Sequence, residues 1–313
     1  MDLLLWIGVF VASLAFLVKA SDWFVNGAEI IGIALGIPPF IVGVTIVAIG
    51  TSLPELASSI SAVYAGSTDI VAGNAIGSNI TNIVLVMGLV ALLSKDKIEI
   101  KRDIMDVDVP MLVASALILW FLIIDLDFTI LDAVILIAGM FIFLAYTFSK
   151  SDNHEEENED FTRQSINWKT IALVAGSGVL IYFSANYTVI SIQEISSMIG
   201  IGTGVIALSL VSLGTSLPEV LVSVTAARKG NTEIAFGNVM GSNIFNTFAV
   251  MGIPRFLGPI DIPAAIVDFS LPMMVAVTIL FAVISLSRKI SRYEGMFLLL
   301  FYLVFMIGLY SNI

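Results

Sequence analysis

The sequence predicts an all-α integral membrane protein, in which ten membrane-spanning helices form two five-helix repeats of inverted topology. The first observation is the composition, since 58% of the 313 residues are hydrophobic and 12% are charged. The second is that apolar runs recur at about the 20 residues that a helix needs to cross a bilayer core. The third is a pair of motifs repeated once in each half. Helices are expected because they satisfy their own backbone polar groups in lipid, whereas a barrel would show short alternating strands.

The ten apolar segments follow one another along the chain, with centres near residues 11, 45, 80, 115, 138, 178, 208, 243, 275 and 302. The first five predict one repeat over residues 1–149, and the last five predict a second over residues 169–313. An acidic linker at 150–168 separates them, with six acids between Asp152 and Asp160. Because five is odd, the second repeat starts on the opposite side of the membrane and is inverted relative to the first.

The Lys and Arg residues predict the orientation. With the N-terminus outside, thirteen of the 14 lie in inside loops or at the inside ends of spans, and only Arg255 lies outside. Such an excess marks the cytoplasmic side. The acidic linker is then cytoplasmic, and its composition is typical of a solvated segment. The thirteen are Lys19, Lys95, Lys97, Lys101, Arg102, Lys150, Arg163, Lys169, Arg228, Lys229, Arg288, Lys289 and Arg292.

An identical hexapeptide occurs twice, at Gly50–Glu55 and, 164 residues later, at Gly214–Glu219. An acid at membrane depth is costly and therefore indicates a functional site. Two acids at matching positions, each beside a proline, indicate the midplane binding site of a transporter. Pro54 lacks an N–H group and clashes with the carbonyl four residues earlier. We therefore expect broken helices here, with freed carbonyls lining a cavity.

Polar residues spaced three or four apart place further ligands on the faces of four helices. The run Gly73–Asn82 recurs as Gly237–Asn246 with seven of ten positions identical, and its glycines are expected to allow close helix approach. The glycines are Gly73, Gly77, Gly237 and Gly241. The four polar faces are Ser52, Glu55 and Ser59; Ser216, Glu219 and Ser223; Asn74, Ser78 and Asn82; and Asn238, Ser242 and Asn246.

Together these faces predict a cage of carboxylate, hydroxyl, amide and carbonyl oxygens at the membrane midplane. The chain has no Cys and its one His lies in the acidic linker, so the cage suits Ca²⁺ or Na⁺ rather than Zn²⁺ or Cu⁺. Two ionised glutamates match one Ca²⁺, and roughly two or three Na⁺ ions can occupy the same oxygens. Ions that compete for one cage exclude each other, which predicts exchange.

Other functions remain open at this point. Protons can also occupy a buried pair of carboxylates, so a Ca²⁺/H⁺ exchanger is the alternative. A cation channel is a third hypothesis, which requires weak binding and rapid passage. An enzyme is not expected, because the spans lack the His or Cys of a nucleophile–base pair or an open metal site. The chain has no basic patch, so nucleic-acid binding is not expected. Neither a prosthetic group nor an obligate protein partner is indicated.

At these residues the chain resembles the sodium/calcium exchanger family, within the cation/calcium antiporter superfamily. Prokaryotic members are also similar at Ser21-Asp22-Trp23-Phe24. The resemblance implies that about three Na⁺ ions are exchanged for one Ca²⁺ by alternating access, in the cell membrane. The calcium/proton branch typically carries Gly-Asn-Ala-Thr-Glu around its acid, and the absence of that motif favours sodium over protons.

The resemblance also implies a role for each matching position. Glu55 and Glu219 would be the carboxylates shared by Ca²⁺ and Na⁺. Asn246 stands where some relatives, including potassium-dependent ones, carry aspartate, which argues against potassium coupling. The other implied ligands are the carbonyls or hydroxyls of Thr51 and Thr215, the Na⁺-lining Ser52, Ser216, Ser78 and Ser242, the backbone carbonyls of Ala48 and Ser212, and the amide of Asn82.

Overall fold

The computed structural model describes residues 3–94, 98–100, 104–155, 167–198 and 216–311, and it is predominantly helical. Eight of its helices, all except those at Leu217–Arg228 and 232–255, are long and apolar enough to cross a membrane. The prediction of a helical, multi-pass membrane protein is therefore confirmed. The helices are α1 Leu3–Leu35, α2 Pro39–Ala65, α3 Asp69–Leu93, α4 Ile104–Ile123, α5 Ile130–Glu155, α6 Trp168–Met198, α7 Leu217–Arg228, α8 232–255, α9 Ile266–Ser285 and α10 Arg292–Ser311.

One predicted span lies outside the described residues, and two helices are longer than the spans predicted for them. The span centred near residue 208 lies outside the described residues, as do Ser212 and Thr215. Helix α5 continues to Glu155, several residues beyond the predicted start of the linker, although its apolar membrane window ends at Ser149. Helix α1, at 33 residues, exceeds the length that a bilayer core requires, and the last part of it carries polar side chains.

Five of the described helices contain a π-helical turn, and four of these turns form two repeated pairs. The turns of α3 and α8 start at Asn82 and Asn246, 164 residues apart. Those of α4 and α9 start at Ile104 and Ile266, 162 residues apart. The duplication seen in the motifs therefore extends to backbone geometry. Such turns are rare and occur frequently at functional sites.

The break predicted at Pro54 is wrong for the first half of the chain. The α-helical part of α2 runs without interruption from Ala48 to Ala65, and its irregular turn lies upstream at Gly43–Val47. In a membrane protein, packed neighbours and local π turns can satisfy the groups that a proline frees, so the helix continues. In the second half, α7 begins at Leu217 and holds Pro218 in its first turn, where a missing N–H has no intrahelical partner to lose.

The core is formed where α8 lies directly against the first turns of α2. A Cβ atom built on Gly43 would come within 2.5 Å of the Ile234 carbonyl oxygen, and one on Gly237 would overlap the Phe40 carbonyl oxygen. The close approach predicted at Gly237 and Gly241 is therefore confirmed. At Gly73 the nearest described atom is Ile266 Cδ1, at an ordinary 3.7 Å.

The connections between helices meet in two groups. Strand β1 (Ile98–Glu99), after α3, pairs antiparallel with β2 (Lys289–Ile290), after α9. The linkers after α2 and α8 meet where Thr68 Oγ1 donates to Asp261 Oδ2 at 2.6 Å. Arg255, at the end of α8, donates from Nε to the Phe128 carbonyl after α4, also at 2.6 Å. In each of these three described contacts, the two partners follow or end helices whose numbers are both odd or both even.

Candidate cation-binding site

The two glutamates of the repeated hexapeptide are fully buried, each with 0% of its surface exposed. Ser52 Oγ, one turn before Glu55, donates to Glu219 Oε1 at 3.1 Å, so the two hexapeptides meet directly. Both carboxylate oxygens of Glu55, and Oε2 of Glu219, have no hydrogen-bond partner within the described residues. Buried carboxylates without protein partners are costly unless a cation or a proton neutralises them.

Helical spacing places these groups on the inner faces of α2 and α7. In α2, Ser52, Glu55 and Ser59 are all fully buried, as the three- and four-residue spacing predicts. In α7 the matching residues are equally buried, and Glu219 lies in the first turn. The backbone N–H groups at a helix N-terminus favour a negative charge nearby. The two glutamates therefore differ in position, because Glu55 lies in the interior of α2 and Glu219 lies in the first turn of α7.

The second repeated motif begins with Gly-Asn in each half of the chain. Its asparagine holds the helix against the neighbouring helix that carries the hexapeptide glutamate. Asn74 Nδ2 donates to the Glu55 backbone carbonyl and to Ser59 Oγ, both at 3.0 Å. Asn238 Nδ2 donates to Ser223 Oγ at 2.8 Å. The two asparagine–serine bonds each join residues 15 apart within one half of the chain. Both asparagines therefore act as braces between neighbouring helices.

Thr51 connects the first half to the second. Its hydroxyl lies 3.1 Å from Asn238 Oδ1 and 3.4 Å from Ser242 Oγ, both on α8. It also lies 3.3 Å from the carbonyl of Ala48, which is itself fully buried. Three residues that the sequence predicts as ligands, Thr51, Ala48 and Ser242, are therefore neighbours in space.

Four further predicted ligands are buried with polar atoms that lack a partner within the described residues. The unpartnered atoms are Ser78 Oγ, Ser216 Oγ, and both the oxygen and the nitrogen of the side-chain amides of Asn82 and Asn246. The two amides stand at the first positions of the paired π turns of α3 and α8. Buried polar atoms without a partner require an explanation, and a bound cation supplies one for the oxygens in this set.

The structure also contains buried polar residues that are not among the predicted ligands. Asn79 Nδ2 donates to Thr247 Oγ1 at 2.9 Å, which joins α3 to α8. Asn243 occupies the equivalent position in the second half and is 1% exposed. Both asparagines belong to the identical positions of the repeated run, so the repeat itself was the signal. Asp108, also 1% exposed, was missed although it directly precedes the apolar run that begins at Val109.

The side-chain oxygens of this site are the type of ligand that binds a hard cation. The described residues contain no cluster of three or more His, Cys, Asp or Glu side chains. Any ion here would therefore be held by two carboxylates together with neutral oxygens, the ligand type that Ca²⁺ takes. A duplicated, buried, oxygen-lined site between membrane helices defines the class of membrane proteins that transport cations.

Comparison with known proteins defines the family within that class. The model of the family "Sodium/calcium exchanger protein" matches residues 5–149 and 169–311. The chain belongs to the sodium/calcium exchanger family, whose members are membrane exchangers rather than catalytic enzymes. Cation exchange is accordingly the general activity to which this fold is adapted.

Several relatives match almost the full chain. The sodium/calcium exchanger MaX1 of Methanosarcina acetivorans is 33% identical, over 96% of this chain and 97% of its own. The putative antiporter CaxA of Alkalimonas amylolytica has the same identity and coverage. Among solved structures, the sodium-calcium exchanger NCX_Mj soaked with 2.5 mM Na⁺ and 0.1 mM Ca²⁺ is 29% identical, with a TM-score of 0.83, over 96% of this chain and 97% of that one.

Proposed function

We propose that this protein is a secondary-active antiporter that exchanges Na⁺ for Ca²⁺ across the cell membrane. The observation that carries the proposal is the contact between the two hexapeptides, where two buried carboxylates have oxygens without protein partners. One Ca²⁺ neutralises two carboxylates, and roughly two or three Na⁺ ions can share the same oxygens. Loading one species therefore excludes the other. From the family we infer about three Na⁺ per Ca²⁺ and alternating access.

The proposed ligand set follows from the residues that line this cluster. Glu55 and Glu219 supply the charge, and neutral oxygens complete the coordination. Ser212 and Thr215 are included because they match the family motif, although they lie outside the described residues. The neutral ligands proposed are Ala48, Thr51, Ser52, Ser78, Asn82, Ser212, Thr215, Ser216, Ser242 and Asn246.

Alternating access rests on two inverted five-helix repeats, residues 1–149 and 169–313, with the N-terminus outside and the linker at 150–168 in the cytoplasm. Three observations support this topology. The family match itself consists of two stretches. The π turns of α3 and α4 recur in α8 and α9. The linkers after odd-numbered and even-numbered helices meet in separate groups, as alternate crossings of a membrane require.

A flux assay in liposomes tests the proposal. Vesicles that contain the purified chain are loaded with Na⁺ and diluted into Na⁺-free buffer with ⁴⁵Ca²⁺, and the outward sodium gradient is expected to drive calcium uptake. Glu55→Gln or Glu219→Gln removes one of the two charges that hold the ion, and is expected to lower uptake by about a hundredfold or more. The matched control is Glu99→Gln, because Glu99 is exposed on β1 and pairs with Lys289.

Separate gradients distinguish the alternative functions. Equal uptake under a pH gradient alone would reject sodium coupling in favour of a Ca²⁺/H⁺ exchanger. Uptake that requires potassium would contradict the inference from Asn246. Single-channel currents in a planar bilayer would indicate a channel in place of an exchanger.

A further inference from the structure

The hexapeptide helix has a second face, which lines an apolar cavity of about 860 Å³. Thr51, Ser52 and Glu55 point toward the candidate cation site. On the other side of the helix, Gly50, Leu53, Pro54 and Ala57 line the cavity. The opposite walls come from α1, α6 and the end of α5. The cavity therefore lies directly behind the residues proposed to hold the transported ion.

The lining has almost no polar chemistry. Among the described lining residues only Thr45 and Tyr182 carry a polar side-chain group. The Thr45 hydroxyl already donates to the Ile41 carbonyl at 2.6 Å. A water molecule needs about two to four polar partners to be held in a cavity, so this space is suited to hydrocarbon. Its volume lies within the range of about 300–1,000 Å³ that is typical of ligand sites.

The cavity opens to the bilayer. Leu53 of α2, Phe148 of α5 and Phe183 of α6 line it and are 51%, 56% and 52% exposed. All three helices are among those that are long and apolar enough to cross a membrane. Side chains exposed at this depth face lipid, so a ligand would enter sideways from the hydrocarbon core.

The dimensions fit one hydrocarbon chain. From Thr45 to Ala57 the lining extends along α2 for about 18 Å at the helical rise. This is somewhat more than one leaflet of a core that is about 30 Å thick. One end of the cavity reaches Ile37, in the connection between α1 and α2, and Phe148, near the end of the span of α5. A chain inserted from that membrane surface would reach the level of the hexapeptide.

We propose that this cavity binds one acyl chain of a membrane phospholipid. The chain would fill the gap between α2 and the pair formed by α1 and α6. Phe24 of α1 already lies in this gap, with its ring against Gly50 of α2 and Gly178 of α6. The bound chain would thus set how closely the paired helices approach the hexapeptide helix. Binding itself does not depend on the proposed exchange activity.

Native mass spectrometry of the full chain, purified in palmitoyl-oleoyl phosphatidylglycerol, tests the proposal. The wild-type protein is expected to retain one phospholipid. Gly178→Leu, which projects into the cavity, is expected to lower that occupancy by about tenfold or more. The matched control is Gly178→Ala, since its Cβ would make ordinary contact with Phe24 at 3.6 Å. Equal occupancy in all three proteins, or retention of added oleate with no phospholipid, would overturn the proposal.

A second measurement keeps Gly178 unchanged, so its result does not depend on whether Gly178→Leu folds. Tyr182→Trp in the cavity and Leu300→Trp on the exposed face of α10 are compared after the native tryptophans are replaced by phenylalanine. Vesicles with increasing fractions of brominated phosphatidylglycerol quench either reporter. A bound chain predicts half-maximal quenching of the cavity reporter at a roughly fivefold lower brominated fraction. Superimposable curves would show bulk lipid only and would overturn the proposal.

Discussion

Ser52 is the residue through which the two halves of the chain meet at the carboxylates. Its sequence position predicts a polar group on the same face as Glu55, and the structure shows that it instead donates to Glu219, on the other repeat. Helical periodicity relates residues within one helix and contains no information on which distant helix lies opposite. The face could therefore be predicted, whereas the partner could not.

We expect Ser52→Ala to weaken calcium binding without preventing folding. A hydrogen bond to a charged group contributes about 1.5–3 kcal/mol, which corresponds to a roughly 10- to 100-fold increase in the calcium concentration for half-maximal uptake. The measurement is ⁴⁵Ca²⁺ flux in liposomes over a range of calcium concentrations.

Ser115→Ala provides the control for this change. Ser115 is also a buried serine, but its hydroxyl donates only to the Leu112 carbonyl of its own helix. The calcium dependence of uptake by Ser115→Ala is expected to match that of the wild type. If both alanine variants shifted equally, Ser52 would have no specific role at the carboxylates.

At the scale of helices, the two repeats are similar in sequence and different in local geometry. Pro54 lies inside a continuous helix, whereas Pro218 opens one. The effect of a proline on a helix depends on which neighbours satisfy the groups it frees, so the same Leu-Pro-Glu sequence lies inside a helix in one half and starts a described helix in the other. The π turns of α3 and α8 were not predicted, because their hydrogen-bond pattern has no simple periodicity in the sequence.

The contact between α8 and α2 gives a prediction about stability. A Cβ on Gly237 would overlap the Phe40 carbonyl oxygen and lie 2.9 Å from the Val44 nitrogen. These backbone atoms cannot rotate away, so we expect Gly237→Ala to lower the free energy of unfolding by about 1–3 kcal/mol. A reduced midpoint of thermal unfolding in detergent would show this effect.

Gly176→Ala is the matched control for the helix contact. Gly176 lies on α6 with no described atom within 4 Å of a built Cβ. Alanine is favoured over glycine within a helix by about 1 kcal/mol, so this variant is expected to unfold at the same temperature or higher. If Gly237→Ala left the midpoint unchanged, the close contact between α2 and α8 would make no measurable contribution to the free energy of unfolding.

At the scale of the whole molecule, the orientation is open to direct test. The chain contains no cysteine, so each introduced cysteine is a unique label. Asp127→Cys, in the connection after α4, is expected to react with a membrane-impermeant maleimide on intact cells. Leu286→Cys, after α9 and 69% exposed, is expected to react only after the membrane is opened. The reverse pattern would invert the proposed topology, and labelling of both positions would contradict it.

That the chain is a helical membrane protein, and which acids stand at matching positions of two repeated motifs, could be concluded from the amino-acid sequence alone. These conclusions rest on local properties, namely the length of apolar runs, the cost of an ionisable group in lipid and the period of a helix. The packing of the helices was needed to see that Ser52 contacts Glu219, that Asn74 and Asn238 act as braces, and that an apolar cavity lies behind the first hexapeptide. Those features depend on contacts between helices distant in sequence, whose register is set by how glycine-lined surfaces and buried polar groups fit together.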